Sequence, residues 1–288
     1  MENDYKNRRI IWLASYPKSG NTWVRMFVNA YISGFSINLN SAFQFATSDV
    51  LPYAYQRVCD CKISDLDHTW MPYIRFAALA NMLIRSHTRD ICLKTHFAKL
   101  SGNGIPLIPK ELSRCALYIV RDPRDLVCSL ASYMNKSIDQ AIEMMADEKV
   151  GIKNNEEGLH QFMSSWSIHV DSWTVNNEEI PTEVIRYEDM VLYTKDTFEL
   201  ILRALGIETI IEDKFNFALE ETCFDNLRRK EDKTGFREQR GKGKFFRKGK
   251  IGAWKEELTD SQVRSIEETH RETMDRFAYF EIPELVQV

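Results

Sequence analysis

Apolar residues recur along this chain in two rhythms, short continuous runs and longer stretches at helical spacing. Ile10, Ile11, Trp12 and Leu13 make a run over residues 9–15, bounded by Pro17 and Gly20, which predicts a buried strand. Trp23, Met26, Phe27, Ala30 and Tyr31 then predict a helix over 22–33 after a tight turn. Ile74, Ala77, Ala78 and Met82 share one face of a predicted helix over 70–85, and 91–96 reads as a second strand. A third run, 115–120, ends at Arg121; Asp122 supplies a helix cap and Pro123 a first helical position, ahead of Leu126, Val127, Leu130 and Tyr133. Further helices are predicted over 137–146, 158–176 and 195–205, the last stopped at Gly206, with a strand over 183–187. A final helix over 259–277 has Thr259 or Asp260 as its cap, whereas 36–68 carries no readable rhythm. Strands alternating with helices predict an α/β fold with a mainly parallel central sheet flanked by helices. No internal repeat or linker interrupts the pattern, so a single domain over 1–288 is expected.

Composition narrows the class. The 288 residues are 44% hydrophobic and 28% charged, and 12 glycines and 8 prolines are too few for a low-complexity or collagen-like chain. The start Met1-Glu2-Asn3-Asp4-Tyr5-Lys6 lacks the basic and then apolar character of a signal peptide, and no segment approaches the ~20 apolar residues that span a bilayer. A cytoplasmic protein without a membrane partner is expected. Cys59, Cys61, Cys92, Cys115, Cys128 and Cys223 have no paired zinc spacing, and three lie in apolar runs, so reduced thiols and no metal are expected.

Charge changes the picture more. Residues 226–255 hold twelve Lys/Arg and three Asp/Glu, a local +9 in a chain of net −4, so the other 258 residues carry −13. Such a segment calls for a polyanion. Acidity elsewhere argues against nucleic acid, which wants a broad basic face, and favours a small, highly charged ligand.

Four constellations carry candidate chemistry. Ser15-Tyr16-Pro17-Lys18-Ser19-Gly20-Asn21-Thr22-Trp23 sits between the first strand and its helix, where backbone N–H groups and the positive helix end make an anion site. It is not a Walker A loop, because Lys18 precedes Gly20 by two residues. Arg121-Asp122-Pro123-Arg124-Asp125 with Ser129 occupies the next strand end and helix start; the ordinary alternative pairs Arg121 and Arg124 with Asp122 and Asp125 as capping. In Lys94-Thr95-His96, period-2 geometry puts Lys94 and His96 on one face, where a neighbouring cation favours neutral imidazole and hence a proton acceptor. Histidines 68, 87, 160, 169 and 270 read as structural. In the basic segment, Phe246-Arg247-Lys248-Gly249-Lys250-Ile251-Gly252-Ala253-Trp254-Lys255 pairs cations with glycines that let backbone approach a phosphate.

Together these motifs resemble the cytosolic-type sulfotransferases, which use 3′-phosphoadenosine 5′-phosphosulfate (PAPS), and they follow in family order from residue 10 to 255. The pattern looks closer to bacterial than to animal members. Residues 16–23 resemble the 5′-phosphosulfate loop, 121–129 the 3′-phosphate motif, and 247–255 the C-terminal nucleotide motif; Lys94-Thr95-His96 resembles the strand with the catalytic histidine. Tyr187-Glu188-Asp189 and Thr222-Cys223-Phe224 resemble two segments around the adenine. Ala253 replaces a usual aspartate, Asn21 a common threonine, and 255–260 only loosely resembles the dimer motif, so a homodimer is left open.

The resemblance implies a P-loop-like sulfotransferase fold and transfer of a sulfuryl group from PAPS to a hydroxyl, less readily an amine, of a small-molecule acceptor such as a natural product. It implies His96 as general base, Lys18 at the leaving phosphate and Lys94 beside the transferring group. Lys18, Ser19, Gly20, Asn21 and Thr22 would serve the 5′-phosphate, and Arg121, Ser129, Arg247, Lys248 and Gly249 the 3′-phosphate. Trp23, Tyr187, Thr222 and Phe224 would take the adenine. The product is adenosine 3′,5′-bisphosphate (PAP), and no metal is required. Phe43, Phe45, Tyr53, Tyr55, Trp70, Tyr133, Trp166 and Trp173 are candidate acceptor walls. The alternatives are a saccharide sulfotransferase, a P-loop kinase and a non-catalytic nucleotide-binding module.

Overall fold

The first apolar run forms strand β1 (Arg9–Ser15), five of whose seven residues are buried. Burial on both faces is what a covered parallel sheet imposes. A computed structural model of the protein describes residues 7–40, 45–60, 62, 69–153, 159–175, 178–241 and 243–281. Strands β2 (Ala46–Ser48), β3 (Asp90–Thr95), β6 (Ser113–Val120) and β9 (Thr182–Arg186) complete a five-stranded sheet in the order β2-β3-β1-β6-β9. β3 runs parallel to β1 from Arg9↔Asp90 to Ala14↔Thr95, and β2 is parallel on its other side. The central parallel sheet flanked by helices is the α/β class expected from the alternation. No helix among the described residues is long and apolar enough to cross a membrane.

The chain divides into two compact units, each discontinuous in sequence. The first comprises residues up to 16, 46–118 and 147–184. It holds helices α2 (Pro52–Gln56) and α3 (Met71–Arg85) and a small hairpin, β4 (Ser101–Gly102) with β5 (Ile105–Pro106). Trp12, Tyr55, Phe97, Tyr118, Trp166 and Trp173 are fully buried in it. Among them lies an ion pair: Arg75 donates to Asp49 at 2.6 Å, to the Tyr55 hydroxyl at 3.0 Å and to the Leu107 carbonyl at 2.7 Å. Asp49 donates its backbone N–H to the Lys94 carbonyl at 3.1 Å, so this knot braces the end of β3.

The second unit comprises residues 17–45, 119–146 and 185–288. Its helix α1 (Asn21–Ser33) packs against α8 (Thr194–Ala204) and α9 (Glu212–Glu221), with Phe27 4.4 Å from Phe198 and 5.6 Å from Phe215 between ring centroids. α1 ends at Gly34, whose left-handed backbone returns its N–H to the Ala30 carbonyl. Helix α4 (Pro123–Met134) packs on α5 (Ile138–Ala146) and on α11 (Asp260–Arg276), and α11 opens on a capping box between Thr259 and Gln262.

Three expectations change. The helix expected over 158–176 is instead strand β8 (His160–Phe162), antiparallel to β7 (Gly151–Lys153), followed by α6 (Trp166–Thr174) behind its Ser165 cap. A three-residue strand is too short to show its alternation beside a helix with strong spacing. Tyr187 opens helix α7 (Tyr187–Leu192) instead of ending the strand. The unreadable stretch 36–68 supplies β2 at the sheet edge and α2. Helix α10 (Phe224–Thr234) carries the first part of the basic segment. Phe43, Cys61 and His68 lie outside the described residues.

Candidate active site

The loop after β1 turns directly into α1. Lys18 takes a left-handed backbone, φ 72°, and Gly20 has φ 109°, a conformation that excludes most side chains. A Cβ on Gly20 would also lie 2.9 Å from the Tyr187 ring. Gly20 brings no side-chain cap to this 13-residue helix, and the Trp23 amide in its first turn donates to the Gly20 carbonyl at 2.9 Å. The Ser19 hydroxyl is buried with no hydrogen-bond partner among the described residues.

Arg121 reaches the same loop. Its guanidinium donates to the Lys18 carbonyl at 3.1 Å and lies 4.2 Å from the centroid of the buried Tyr187 ring, while its Nε is buried without a partner among the described residues. Trp23 stands 6.2 Å from Tyr187, so the first two constellations and the predicted adenine residue Tyr187 come together in one unit. Beneath them, the Glu188 carboxylate accepts the Asp122 N–H at 3.0 Å; burial, with the charge of Asp122 adding, pushes its pKa up to about 7.

The ordinary capping alternative holds for Arg124 and fails for Arg121. Arg124 is locked to Asp122 at 2.7 Å and to Glu267 at 2.7 Å, and lies 4.3 Å from the Trp254 ring centroid, so it is structural. Asp125 pairs with neither arginine. It accepts the N–H groups of Gly252 at 2.7 Å and Trp254 at 3.0 Å, pinning the glycine-rich end of the basic segment to the start of α4. Asp125→Ala strands those two donors and is expected to lower stability by about 1–3 kcal/mol, read as a lower urea midpoint at unchanged slope.

The basic segment comes with its own carboxylates. Arg247 is held by Glu257 through both terminal nitrogens, and Lys248 reaches Glu257 at 3.1 Å and Glu256 at 3.4 Å; the Arg247 Nε is buried without a partner among the described residues. Gly249, φ 65°, leaves no room for a side chain, since a Cβ would stand 2.3 Å from the Phe224 ring. Thr222 is fully buried with its hydroxyl turned back to the Ala218 carbonyl, and Ser129 is half-buried on α4.

Three residues at this site escaped the sequence. The Thr22 hydroxyl, expected on the 5′-phosphate, donates to Glu238 at 3.1 Å, and Arg25, 2% exposed, holds the same carboxylate at 2.8 Å. The Lys18 ammonium lies 3.4 Å from the centroid of Phe245 and 4.7 Å from that of Tyr133, an aromatic seat that attracts a cation. Glu238 and Phe245 lie more than 200 residues from the loop they serve, beyond the reach of any local pattern.

His96 belongs to the other unit. β3 ends at Thr95, and His96, 8% exposed, turns its Nδ1 to the Ser15 carbonyl at 2.7 Å. A carbonyl only accepts, so Nδ1 carries the proton and Nε2 is the basic nitrogen. Lys94 is half-buried one residue before the strand's end.

Comparison with known proteins gives this arrangement its family. The family model of the sulfotransferase domain matches residues 8–278. The chain belongs to that family. Among curated relatives of this sulfotransferase chain, cytosolic sulfotransferase 13 of Arabidopsis thaliana is 27% identical over 92% of the chain and 76% of its own length. Sulfotransferase 1B1 of Mus musculus is 24% identical over 92% and 82%. Among solved structures, mouse sulfotransferase SULT7A1 complexed with PAP superposes with a TM-score of 0.61 at 20% identity, covering 94% of this chain and 89% of that one. Retinol dehydratase in complex with androsterone and inactive cofactor PAP superposes with a TM-score of 0.61 at 15% identity, covering 96% and 82%. These likenesses establish the fold of the sulfotransferases.

Among the aromatic residues expected to wall an acceptor pocket in this sulfotransferase, Tyr55, Trp166 and Trp173 are fully buried core. The Tyr55 hydroxyl is taken by Asp49 and Arg75, and the Trp173 indole by the Phe97 carbonyl. Tyr53 and Trp70 are exposed, Phe45 is half-buried, and Tyr133 serves Lys18.

Proposed function

We propose that the protein transfers a sulfuryl group from PAPS to a hydroxyl of a small-molecule acceptor and releases PAP. The observation that carries this reading is the set of buried donors on Ser19, Arg121 and Arg247 that have no partner among the described residues, with Gly20 and Gly249 leaving no room for a side chain beside Ser19 and Arg247. Buried donors keep hydrogen-bond capacity only at a steep cost, and a doubly phosphorylated nucleotide supplies the acceptors they lack.

In this reading Ser19, Gly20, Asn21, Thr22 and the loop amides hold the 5′-phosphate. Arg121, Ser129, Arg247, Lys248 and Gly249 hold the 3′-phosphate, and Trp23, Tyr187, Thr222 and Phe224 hold the adenine. Lys18 donates to the oxygen bridging sulfur and phosphorus, where negative charge grows as that S–O bond breaks. Nε2 of His96 takes the proton of the acceptor hydroxyl as the new S–O bond forms, and the departing PAP keeps the electron pair of the broken bond. Lys94 balances charge on the sulfuryl oxygens. The donor is already activated, so no metal is assigned. A cytoplasmic setting, where PAPS is at hand and thiols stay reduced, fits the reading.

Glu238 competes for the 5′ seat, because Thr22 cannot give its one proton to both Glu238 and a phosphate. Glu238→Gln weakens the competitor and is expected to tighten PAP binding roughly tenfold, about 1.4 kcal/mol, in a calorimetric titration. The reading as a whole is tested by incubating the protein with sulfur-labelled PAPS and panels of phenols, aliphatic alcohols and saccharides. Label is expected on a phenol or alcohol with PAP formed in equal amount. Label on saccharides alone would move the acceptor class, and none on any acceptor would count against transfer.

A further inference from the structure

His169 reads as structural from the sequence, yet its two nitrogens connect it to the candidate base. It is fully buried on α6, and burial pushes its pKa down to about 3, so it is neutral at working pH. Its Nε2 lies 3.2 Å from the His96 carbonyl and its Nδ1 2.8 Å from the Tyr118 hydroxyl. The carbonyl can only accept, so Nε2 carries the proton, Nδ1 is the acceptor, and Tyr118 donates to it. The Tyr118 oxygen in turn accepts the backbone N–H of Tyr16.

These bonds close on themselves. The peptide unit joining Ser15 and Tyr16 gives its N–H to Tyr118, and its C=O accepts from Nδ1 of His96. From Tyr16 through Tyr118 and His169 to the His96 backbone, and from the His96 ring back to Ser15, all protons point the same way, with the Ser15 hydroxyl a longer second neighbour of His96 Nδ1 at 3.5 Å. Reversing one proton would set a carbonyl against a lone pair. Four residues along α6, Trp173 donates its indole N–H to the Phe97 carbonyl at 2.9 Å, so one helix face grips two successive carbonyls of the turn after β3.

We infer that His169 is a positioning residue for the transfer reaction, with Tyr118 holding it in the tautomer that fixes the His96 backbone and thereby the Nδ1–H form of the His96 ring. The inference rests on the reading of His96 as general base. It explains why neutral histidine is suited to this buried place: it alone offers a donor and an acceptor on opposite edges of one rigid ring. Without the ring of bonds His96 retains its place in the chain but loses the constraint on which nitrogen faces the acceptor. A misplacement near 1 Å, or the wrong tautomer, is enough to lower rate by ~10²-fold.

The test uses three variants of the full chain, His169→Phe, His169→Gln and Tyr118→Phe, each checked for folding by thermal melt. Both phenylalanine variants are expected to lower kcat, His169→Phe by roughly 10²-fold, with acceptor KM and PAP affinity unchanged. His169→Gln, which keeps an N–H donor, is expected to recover part of the loss. Long-range ¹H–¹⁵N correlation spectra should show His96 as the Nδ1–H tautomer in the unsubstituted protein and as a mixture in the phenylalanine variants. Tyr118→Phe removes a single hydroxyl and decides the matter if His169→Phe fails to fold. Unchanged kcat and an unchanged His96 tautomer in folded Tyr118→Phe would overturn the inference. If His96→Ala is inactive while these variants are fully active, only the positioning role falls. If His96→Ala retains full turnover, the general-base reading falls first.

Discussion

Replacing His96 with alanine is expected to lower turnover by roughly 10²–10⁴-fold while PAP affinity stays at the level of the unsubstituted protein. Loss of a general base removes a transition-state contribution and leaves ground-state binding of the nucleotide untouched, so kcat falls and the calorimetric Kd does not move. The Ser15 carbonyl makes a sharper control available. In His96→Asn an amide N–H can still be given to that carbonyl, which preserves the local bond seen at 2.7 Å, but no basic nitrogen remains. Both variants should therefore be equally inactive. Activity in His96→Asn would assign His96 a structural role, and activity in both would remove it from the chemistry.

The second large effect is expected at Arg121. Arg121→Ala removes a half-buried guanidinium that the structure holds against Tyr187, its buried Nε without a partner among the described residues. Truncating one side of a buried charged contact costs about 2–5 kcal/mol, so PAP affinity should fall at least ~30-fold. Adenosine 5′-phosphate lacks the 3′-phosphate, and its affinity should change far less in the same variant. Arg121→Lys keeps the charge and loses the planar fork, and is expected to recover only part of the loss. An equal drop for both nucleotides would move Arg121 from the 3′-phosphate to a general support of the loop, and no drop would remove the assignment.

How much of this was legible in the chain depended on whether the signal was local. The continuous runs of β1, β3 and β6 are buried on both faces and announce themselves without any partner, as do the Asp122 cap and Pro123 at the start of α4. The edge strand β2 has three residues and becomes a strand only by pairing with β3, so nothing in its own sequence marks it. β8 failed for the same reason beside the stronger spacing of α6. Within the candidate site, cations were legible and their carboxylate partners were not. Lys18, Arg121, Arg247 and Lys248 stand in motifs, whereas Glu238 meets Thr22 and Arg25 from more than 200 residues away. Asp125 looked like part of a capping cluster until the amides of Gly252 and Trp254 were found on it. His169 reads as structural from the sequence, and its contact with the His96 carbonyl exists only in three dimensions.

The claim on which all of this turns is that the loops of Ser19, Arg121 and Arg247 hold a nucleotide carrying both a 5′- and a 3′-phosphate. Isothermal titration calorimetry of the full chain with PAP, adenosine 5′-phosphate and ATP tests it most directly. PAP is expected to bind at least ~30-fold more tightly than either of the others, since only PAP engages the 3′-phosphate residues. Equal affinity for PAP and adenosine 5′-phosphate, preference for ATP, or no binding of PAP would contradict the account.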